Sequence, residues 1–304
     1  MTLEAEHPLL ETPRRKSRGI SHKKAVAIFV GPFALFFALF YILPICYAVF
    51  QSLQTVEREG TFGKATQVFG GLTQYIQVFT NGPFWESILR VLGFGVVQVP
   101  VMLGFGLLLA LLLDSPLVKG KRFFRLAFFA PYAVPGVIAA IMWGFLYSPN
   151  LSPFTALTQN VDFLGADLVL WSIANVVTWV FVGYNMLIIY SALLAIPTEI
   201  YEAARLDGAG QVRIAFSIKI PLILPALTLT SIFSIIGTLQ LLAEPQVFKS
   251  FTSAVTSTFT PNLTIYSAAS IPNVNLAAAM SVVLALFTFA LSFGVLKITQ
   301  RSAD

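Results

Sequence analysis

Charged residues are scarce along this chain of 304 residues: Asp, Glu, Lys and Arg make up 11% of it, whereas 57% of its residues are hydrophobic. About 25% of the residues of a soluble domain are charged. The composition therefore excludes an ordinary soluble domain and indicates a protein that lies in a lipid bilayer. The net charge of +5 is spread between hydrophobic runs and forms no single basic patch, so no nucleic-acid partner is expected.

Cysteine and histidine are almost absent. The single cysteine, Cys46, excludes an intramolecular disulfide and a cysteine-based metal cluster. We expect Cys46 to be a buried small apolar residue, as free cysteines usually are. Both histidines, His7 and His22, lie in the N-terminal tail, so no His-ligated metal site is expected within the membrane.

The sequence motifs of an enzyme are missing as well. The chain contains no G-x-x-x-x-G-K-[ST] sequence, which forms the loop that cradles nucleotide phosphates. No Ser/His/Asp or Cys/His set is available inside the membrane. We therefore predict that this chain is not an enzyme, has no catalytic residues, and binds no metal and no cofactor of its own.

Long uncharged apolar intervals are what the sequence does have. A helix needs about 20 predominantly apolar residues to cross the hydrocarbon core. The predicted spans are 25–50, 91–113, 126–147, 168–196, 220–243 and 276–296. The chain is thus predicted to be an all-α, polytopic membrane protein with one domain of six transmembrane helices over 25–296. It leaves tails at 1–24 and 297–304 and a loop at 197–221.

The positions of lysine and arginine predict the orientation of these spans. Most of the 19 basic residues lie in the N-terminal tail, between spans two and three, between spans four and five, and in the C-terminal tail. Loops on the cytoplasmic side of a membrane carry an excess of Lys and Arg. We therefore expect both termini and the loop 197–221 to be cytoplasmic.

The predicted spans also contain no Asp, Glu, Lys, Arg or His. Carriers that are driven by ion gradients usually place ionisable groups within the membrane, so this absence weighs against an ion-coupled carrier. Without a nucleotide-binding loop either, the chain is predicted to be a conduit with no energy source of its own. An ATP-driven motor, if there is one, lies on another polypeptide and contacts this chain from the cytoplasm.

The loop after span four has the pattern of a short helix that lies on the membrane surface. Thr198 is the expected N-cap, and Glu199 and Glu202 in the first turns are favoured by the helix dipole. Gly208 and Gly210 are expected to end the helix, through a left-handed C-terminal turn. From the pattern alone, a solvated loop helix and a docking element for a partner are about equally supported.

A longer pattern in this loop favours the docking element. Glu202-Ala203-Ala204, then Gly208, then Ile218-x-Ile220-Pro221 resembles the EAA loop of bacterial ABC importer permeases. Ile220 is the one departure, since those proteins more often have Leu there. The segments "LGFGLLLALLLD" (103–114) and "KGKRFFRLAFFAPYAVPGVIAAIMWGFLY" (119–147) resemble the carbohydrate-uptake branch, which includes maltose and glycerol-3-phosphate permeases. The outer stretch 250–264 departs from that branch, which often has Gly-Gly-Pro there.

This resemblance implies the fold, the partners and a coupling role for the loop. It implies a type I ABC importer permease fold in the bacterial inner membrane, paired with a second permease subunit, which makes a heterodimer the expected form. Two ATPase subunits would bind ATP and Mg, and an extracytoplasmic solute-binding protein would deliver the solute. The residues implied to couple to the ATPase are Glu202, Ala203, Ala204, Asp207, Gly208, Ile218 and Pro221.

The substrate path is predicted from polar and aromatic residues in spans four to six, because sugars are bound by hydrogen bonds and aromatic stacking. In the sugar-permease pattern a Tyr precedes the EAA Glu at a fixed interval, and Tyr184 occupies that place. The other candidates are Trp179, Asn185, Ser234, Thr238 and Gln240. For each of them, packing between helices or at the lipid interface is an alternative role.

The sequence therefore favours the permease subunit of an ATP-driven sugar importer. A permease for another solute, such as a sugar phosphate, polyol or oligopeptide, is the first alternative. A membrane subunit that docks a cytoplasmic partner and transports nothing is the second, and an ion-coupled carrier is the third. The identity of the sugar is not predicted, since in this family the solute-binding protein does most of the selecting.

Overall fold

The computed structural model describes residues 22–58, 64–270 and 273–301. The chain divides into two units, 1–48 and 49–304, which are described separately. Five helical segments within the described residues are long and apolar enough to cross a membrane, and a bent pair of helices is a sixth candidate. The five segments are Val26–Ser52, Gly82–Asp114, Val169–Leu194, Leu224–Phe248 and Val274–Thr299. Most of the predicted N-terminal tail lies outside the described residues.

The N-terminal segment is one helical run with a wide turn in its middle. It consists of α1 (His22–Phe37), a π-helical turn (Ala38–Ile42) and α2 (Leu43–Ser52). The wide turn ends two residues before Pro44, whose nitrogen has no hydrogen to donate to the preceding turn. Cys46 is exposed on α2, so the expected burial is wrong within this chain. In a membrane, lipid covers such an apolar side chain without protein burial.

A short hairpin follows, which the all-α prediction did not contain. Strands β1 (Gln54–Arg58) and β2 (Ala65–Phe69) pair antiparallel, with Gln54 opposite Phe69. Helix α3 (Thr73–Thr80) comes next and is joined to the end of α2, since the hydroxyl groups of Ser52 and Tyr75 lie 2.7 Å apart. The hairpin is therefore a small addition to a protein that is otherwise helical.

Helix α4 (Gly82–Asp114) begins earlier than the predicted span, which started at residue 91. The side chain of Asn81 accepts a hydrogen bond from the backbone N–H of Phe84 and caps the helix. Arg90 does not end the helix, because its guanidinium donates to the carbonyl oxygen of Phe259 at 3.1 Å and lies 5.3 Å from the centre of that residue's ring. A charge ended the apolar interval of the sequence, but not the helix.

The third predicted span is divided into two helices. They are α5 (Lys121–Phe129) and α6 (Gly136–Tyr147), which are bent by 93° around a 3₁₀ turn at Ala130–Ala133. Pro131 and Pro135 explain the break, because neither has a backbone N–H and because a residue before proline is pushed out of the helical region. Val134, directly before Pro135, is extended, with φ −81° and ψ 123°. The continuous helix predicted over 126–147 is thus replaced by a sharp turn.

Helix α8 (Val169–Leu194) is the most buried of the membrane-length helices, and it follows the single-turn helix α7 (Thr155–Thr158). Its residues contribute to two buried clusters, one with α6 and one with α4. Gly183 allows the close crossing of α5, since a side chain there would overlap the carbonyl of Phe128. The predicted span 168–196 corresponds closely to this helix.

The loop 197–221 and the fifth span form a series of helical pieces. They are α9 (Thr198–Leu206), α10 (Gln211–Ile214), a π-helical turn (Ala215–Lys219), α11 (Ile220–Leu222) and α12 (Leu224–Leu239). Pro221 and Pro225 lack the N–H groups that a continuous helix needs. After α12 the chain turns at Gln240 and enters α13 (Ala243–Phe248), so the span predicted over 220–243 is not one helix.

The outer stretch that departs from the carbohydrate-uptake pattern is a packed part of the protein. The Thr252 hydroxyl donates to the carbonyl of Leu164 at 2.8 Å, and the Thr260 hydroxyl donates to that of Leu241 at 3.0 Å. Phe259 is buried. The chain then continues through α14 (Pro261–Ser270) to α15 (Val274–Arg301), which contains the sixth predicted span.

Candidate functional site

A cavity of about 520 Å³ lies beside α8 and α12. It is lined by all of the residues predicted for the substrate path except one: Tyr184, Asn185, Ser234, Thr238 and Gln240. Trp179 is not part of the lining; its ring packs edge-on against Trp143 at 6.0 Å, in the buried cluster between α6 and α8. The structure thus brings together residues that are far apart in the sequence and assigns Trp179 to helix packing.

One wall of the cavity is aromatic. The rings of Tyr132 and Tyr184 stack with centres 4.8 Å apart and planes inclined by 16°, and Phe181 meets Tyr132 edge-on at 5.7 Å. Tyr132 lies in the 3₁₀ turn between α5 and α6, and the sequence analysis did not single it out because that segment was taken as one helix. Its flat face and hydroxyl group suit a ligand that is both apolar and hydrogen-bonding.

Other residues of the lining are polar. Asn185 is only 2% exposed, and its Nδ2 has no hydrogen-bond partner within the described part of the chain. The Thr238 hydroxyl oxygen lies 3.2 Å from Oε1 of Gln98 and 2.8 Å from the carbonyl oxygen of Ser234. A buried polar group without a partner is costly, so a polar ligand in the cavity would be stabilised by the free Asn185 amide. Gln98 is an amide residue within an apolar predicted span and contacts Thr238, but it was not among the residues predicted for the substrate path.

Glu244 is the one charged residue that lines the cavity. It lies in the first turn of α13 and is 7% exposed. Its Oε1 faces Gly136 at the start of α6, where an added methyl group would come within 3.2 Å of that oxygen. Among the residues that the structure describes, no Lys, Arg or His lines the cavity. Glu244 directly follows the fifth predicted span, which ends at residue 243, and it was not among the residues predicted for the substrate path.

The short helix α9 ends in a Schellman motif. The N–H of Gly208 donates to the carbonyl of Arg205 at 3.0 Å, and the N–H of Ala209 donates to that of Ala204 at 2.9 Å. Gly208 has φ +80°, the left-handed conformation that this motif needs. Gly210 has φ −71° and begins α10, so only one of the two glycines ends the helix in this way.

The start of α9 differs from the prediction. Thr198 is the first residue of the helix, Pro197 precedes it as the N-cap, and the cap has no side-chain hydrogen bond. The fixed φ of proline sets the direction of entry into the helix. Thr198 as the N-cap is therefore wrong.

Most residues of the EAA pattern face outward. Glu202, Ala203, Asp207, Gly208 and Pro221 are exposed, whereas Ala204 and Ile218 are half-buried. Apolar side chains lie exposed among these charges, with Leu206 at 89%, Val212 at 73% and Phe216 at 68%. Exposed apolar patches that are rimmed by polar residues mark interaction sites. We call the exposed residues of α9, α10 and the following π-helical turn the loop surface.

The fold and the cavity define a membrane permease, and sequence comparison identifies its family. The family model described as binding-protein-dependent transport system inner membrane component matches residues 102–302, so the chain belongs to that family. The lactose transport system permease protein LacF of Rhizobium radiobacter is 31% identical over 280 residues, 88% of this chain and 91% of LacF. The sn-glycerol-3-phosphate transport system permease protein UgpA of Yersinia pseudotuberculosis is 33% identical, over 62% of this chain and 64% of UgpA.

Solved structures show the same fold. A bacterial ABC transporter involved in the import of the acidic polysaccharide alginate matches with a TM-score of 0.74 and 17% identity, over 91% of this chain and 95% of that chain. The MetNI methionine ABC transporter matches with a TM-score of 0.54 and 19% identity, over 76% of this chain and 99% of that chain. The fold is therefore that of an ABC importer permease, as the sequence predicted.

The left-handed turn at Gly208 predicts a selective effect of adding one methyl group. Gly208→Ala should weaken the end of α9 by roughly 1–2 kcal/mol, because a side chain is strained in that conformation. Local opening should then rise at least about fivefold. The measurement is the rate of tryptic cleavage after Arg205 and Arg213, both exposed, in the detergent-solubilised protein.

Gly210→Ala is the matched control for this prediction, because Gly210 has a φ that any residue adopts and no neighbouring atom within 4 Å of an added methyl group. Its cleavage rate should equal that of the parent protein. Equal rates for all three proteins would show that the left-handed turn does not hold the end of α9.

Proposed function

We propose that this chain is the transmembrane permease subunit of an ATP-driven, binding-protein-dependent importer of an uncharged sugar, and that it forms half of the translocation path. The observation that carries the proposal is the cavity: a stacked tyrosine pair and hydrogen-bonding side chains of α8 and α12 line one space of about 520 Å³. Aromatic faces and hydrogen-bonding groups together suit a sugar ring. The family supports binding-protein dependence.

The charge of the cavity lining supports an uncharged solute over a sugar phosphate. The transporters similar to this chain or to its fold handle different solutes, since their names include lactose, sn-glycerol-3-phosphate and the acidic polysaccharide alginate. In this chain, Glu244 lines the cavity and no basic residue does. Moving an anionic group out of water without a cationic partner is costly. At an effective dielectric of 20, a carboxylate 4 Å away adds about 4 kcal/mol of repulsion.

The loop surface supports coupling to a partner in the cytoplasm. It presents the exposed Glu202 and Asp207 beside the exposed apolar side chains of Leu206 and Val212. We propose that an ATPase subunit binds this surface, and that ATP and Mg are bound there and not on this chain. The assembly would contain a second permease subunit, two ATPase subunits and a solute-binding protein in the bacterial inner membrane, with both termini of this chain in the cytoplasm.

A docking subunit that transports nothing is less well supported. Such a protein needs the loop surface but has no use for a cavity with an unpartnered amide at Asn185. An ion-coupled carrier would not need the loop surface. The importer is the function that uses both features.

Solute-stimulated ATP hydrolysis of the purified complex tests the proposed substrate class. With the solute-binding protein present, lactose or maltose should stimulate hydrolysis, whereas glycerol 3-phosphate and alginate oligosaccharides should not. Stimulation by an anionic solute alone would contradict an uncharged substrate.

A variant of Tyr184 tests the role of the cavity. Tyr184→Ala should reduce uptake of the stimulating sugar about tenfold, because an aromatic contact and a hydroxyl group are lost, while ATP hydrolysis persists.

The control for the cavity variant is Phe289→Ala, which removes an exposed aromatic ring from α15 outside the cavity. Its uptake should match that of the parent protein. Equal uptake by Tyr184→Ala and the parent would remove Tyr184 from the path.

A charge reversal on α9 tests the proposed docking of the ATPase. Glu202→Lys should weaken binding of the ATPase by about tenfold or more and abolish ATP-coupled uptake, because a charge at the interface changes sign. Membrane insertion should be unchanged. The measurements are co-purification of the ATPase subunit and ATP-dependent uptake in proteoliposomes.

Glu86→Lys is the matched control for this prediction. It makes the same charge change at an exposed position near the start of α4, about 42 Å along that helix from its other end at Asp114. The control should retain the ATPase and the uptake. Undiminished uptake in Glu202→Lys would contradict docking through this residue.

A further inference from the structure

Three residues from separate segments meet where the loop joins the spans. Lys219 Nζ donates a hydrogen bond to Oδ2 of Asp114, the last residue of α4. The same Nζ lies 4.9 Å from the centre of the Tyr201 ring on α9. We call Asp114, Tyr201 and Lys219 the polar cluster.

The polar cluster is shielded from solvent. The side chains of Lys219 and Asp114 are 9% and 12% exposed, and theirs is the one ion pair within the described ranges. Removing one partner of a buried pair leaves an uncompensated charge, which is strongly unfavourable.

Neighbouring groups hold the two charges together. Lys121 Nζ donates to the backbone carbonyl of Asp114 at 3.2 Å and so fixes the end of α4. The Tyr201 hydroxyl is buried without a hydrogen-bond partner in the described part of the chain. Burial, and next the charge of Asp114, raise the pKa of Tyr201, so its hydroxyl stays neutral. Tyr201 therefore acts through its ring face, as a cation–π partner of Lys219.

The backbone places Lys219 for this contact. Lys219 is the last residue of the π-helical turn, in which the N–H of Ile220 bonds to the carbonyl of Ala215. One extra residue in a helical turn rotates the residues on its two sides relative to each other by about 100°. Such π-helical turns inside helices often mark functional sites.

The connectivity of the chain shows what the polar cluster adds. Helix α9 is joined through short connections to α8 on one side and, through α10 and α11, to α12 on the other. A displacement of α9 therefore pulls directly on those two helices. Helix α4 packs against α8 in a shared buried cluster, but it has no such covalent connection to α9. Helix α4 carries Met102, which lines the cavity, and Gln98, which contacts Thr238.

We propose that the polar cluster is a transmission contact: it attaches α4 to α9, so that a displacement of α9 by a bound partner also moves α4 at the cavity. Asp114, Tyr201 and Lys219 are then positioning residues for transport. The inference rests on the proposed function, since a partner that moves α9 is part of it.

The experiment measures movement at the cavity without requiring the identity of the sugar. In a Cys46→Ser background, Met102→Cys provides a thiol on α4 in the lining of the cavity. Its rate of modification by a small, water-soluble methanethiosulfonate is measured in the assembled complex, with and without ATP and vanadate. The parent complex should show an ATP-dependent change of at least about fivefold, the lower end of ordinary coupling between sites.

Three variants separate transmission from stability. Asp114→Asn and Lys219→Met should each lower the thermal stability and lose the ATP-dependent change, because each leaves one charge unpaired. The double variant Asp114→Asn/Lys219→Met leaves no unpaired charge, so it should regain stability and still lack the change. ATP hydrolysis and co-purification of the ATPase should persist in all three.

Two controls complete the design. Tyr201→Phe keeps the ring over Lys219, and Lys119→Met removes an exposed lysine from the connection between α4 and α5. Both should behave as the parent complex does. If Lys119→Met also lost the ATP-dependent change in modification rate, that loss could not be assigned to the polar cluster, and the transmission contact would be overturned.

The outcomes distinguish the inference from the proposed function. A double variant that retains the ATP-dependent change in a complex where the parent shows it would overturn the transmission contact alone. A parent complex with no co-purified ATPase and no ATP-dependent change would overturn the proposed function and the inference together.

Discussion

The structure depends on one constraint of the lipid environment: backbone N–H and C=O groups must find partners within the protein. Irregular backbone at membrane depth is tolerated only where protein buries it or where it lines a cavity. In this chain, the break made by Pro131 and Pro135 presents Tyr132 to the cavity, and the turn after α12 presents Gln240 and Glu244. The helix breaks therefore supply part of the cavity lining.

The cavity and the loop surface lie on consecutive parts of the chain. Helix α8 carries Tyr184 and Asn185 and leads into α9, whereas α12 carries Ser234 and Thr238 and follows the loop. A force on α9 therefore acts on two walls of the cavity through the covalent chain. The pair between Lys219 and Asp114 extends this mechanical connection to α4.

The uncharged intervals of the sequence correspond to the membrane-length helices, and five of the six residues predicted for the substrate path line one cavity. A charged side chain in the hydrocarbon core costs free energy, so long uncharged intervals indicate membrane-spanning helices such as α8. The predicted spans nevertheless stopped at charged residues, and this made them too short where the fold gives such a residue a partner. Arg90 is an example, because the predicted span began after it whereas α4 includes it. The approach of Tyr132 to Tyr184 depends on the 93° bend between α5 and α6. The contact of Gln98 with Thr238 depends on the packing of α4 against α12, and that of Glu244 with Gly136 on the packing of α13 against α6. Helix periodicity alone does not contain that information.

Protection of the cavity by the transported solute tests the central claim most directly. Gln240→Cys in a Cys46→Ser background places a thiol in the turn after α12, and the assembled complex is treated with a water-soluble methanethiosulfonate. We predict that the uncharged sugar that stimulates ATP hydrolysis slows modification of this thiol, whereas glycerol 3-phosphate does not. Modification at the same rate with and without a saturating concentration of that sugar would contradict the assignment of this cavity as the solute site.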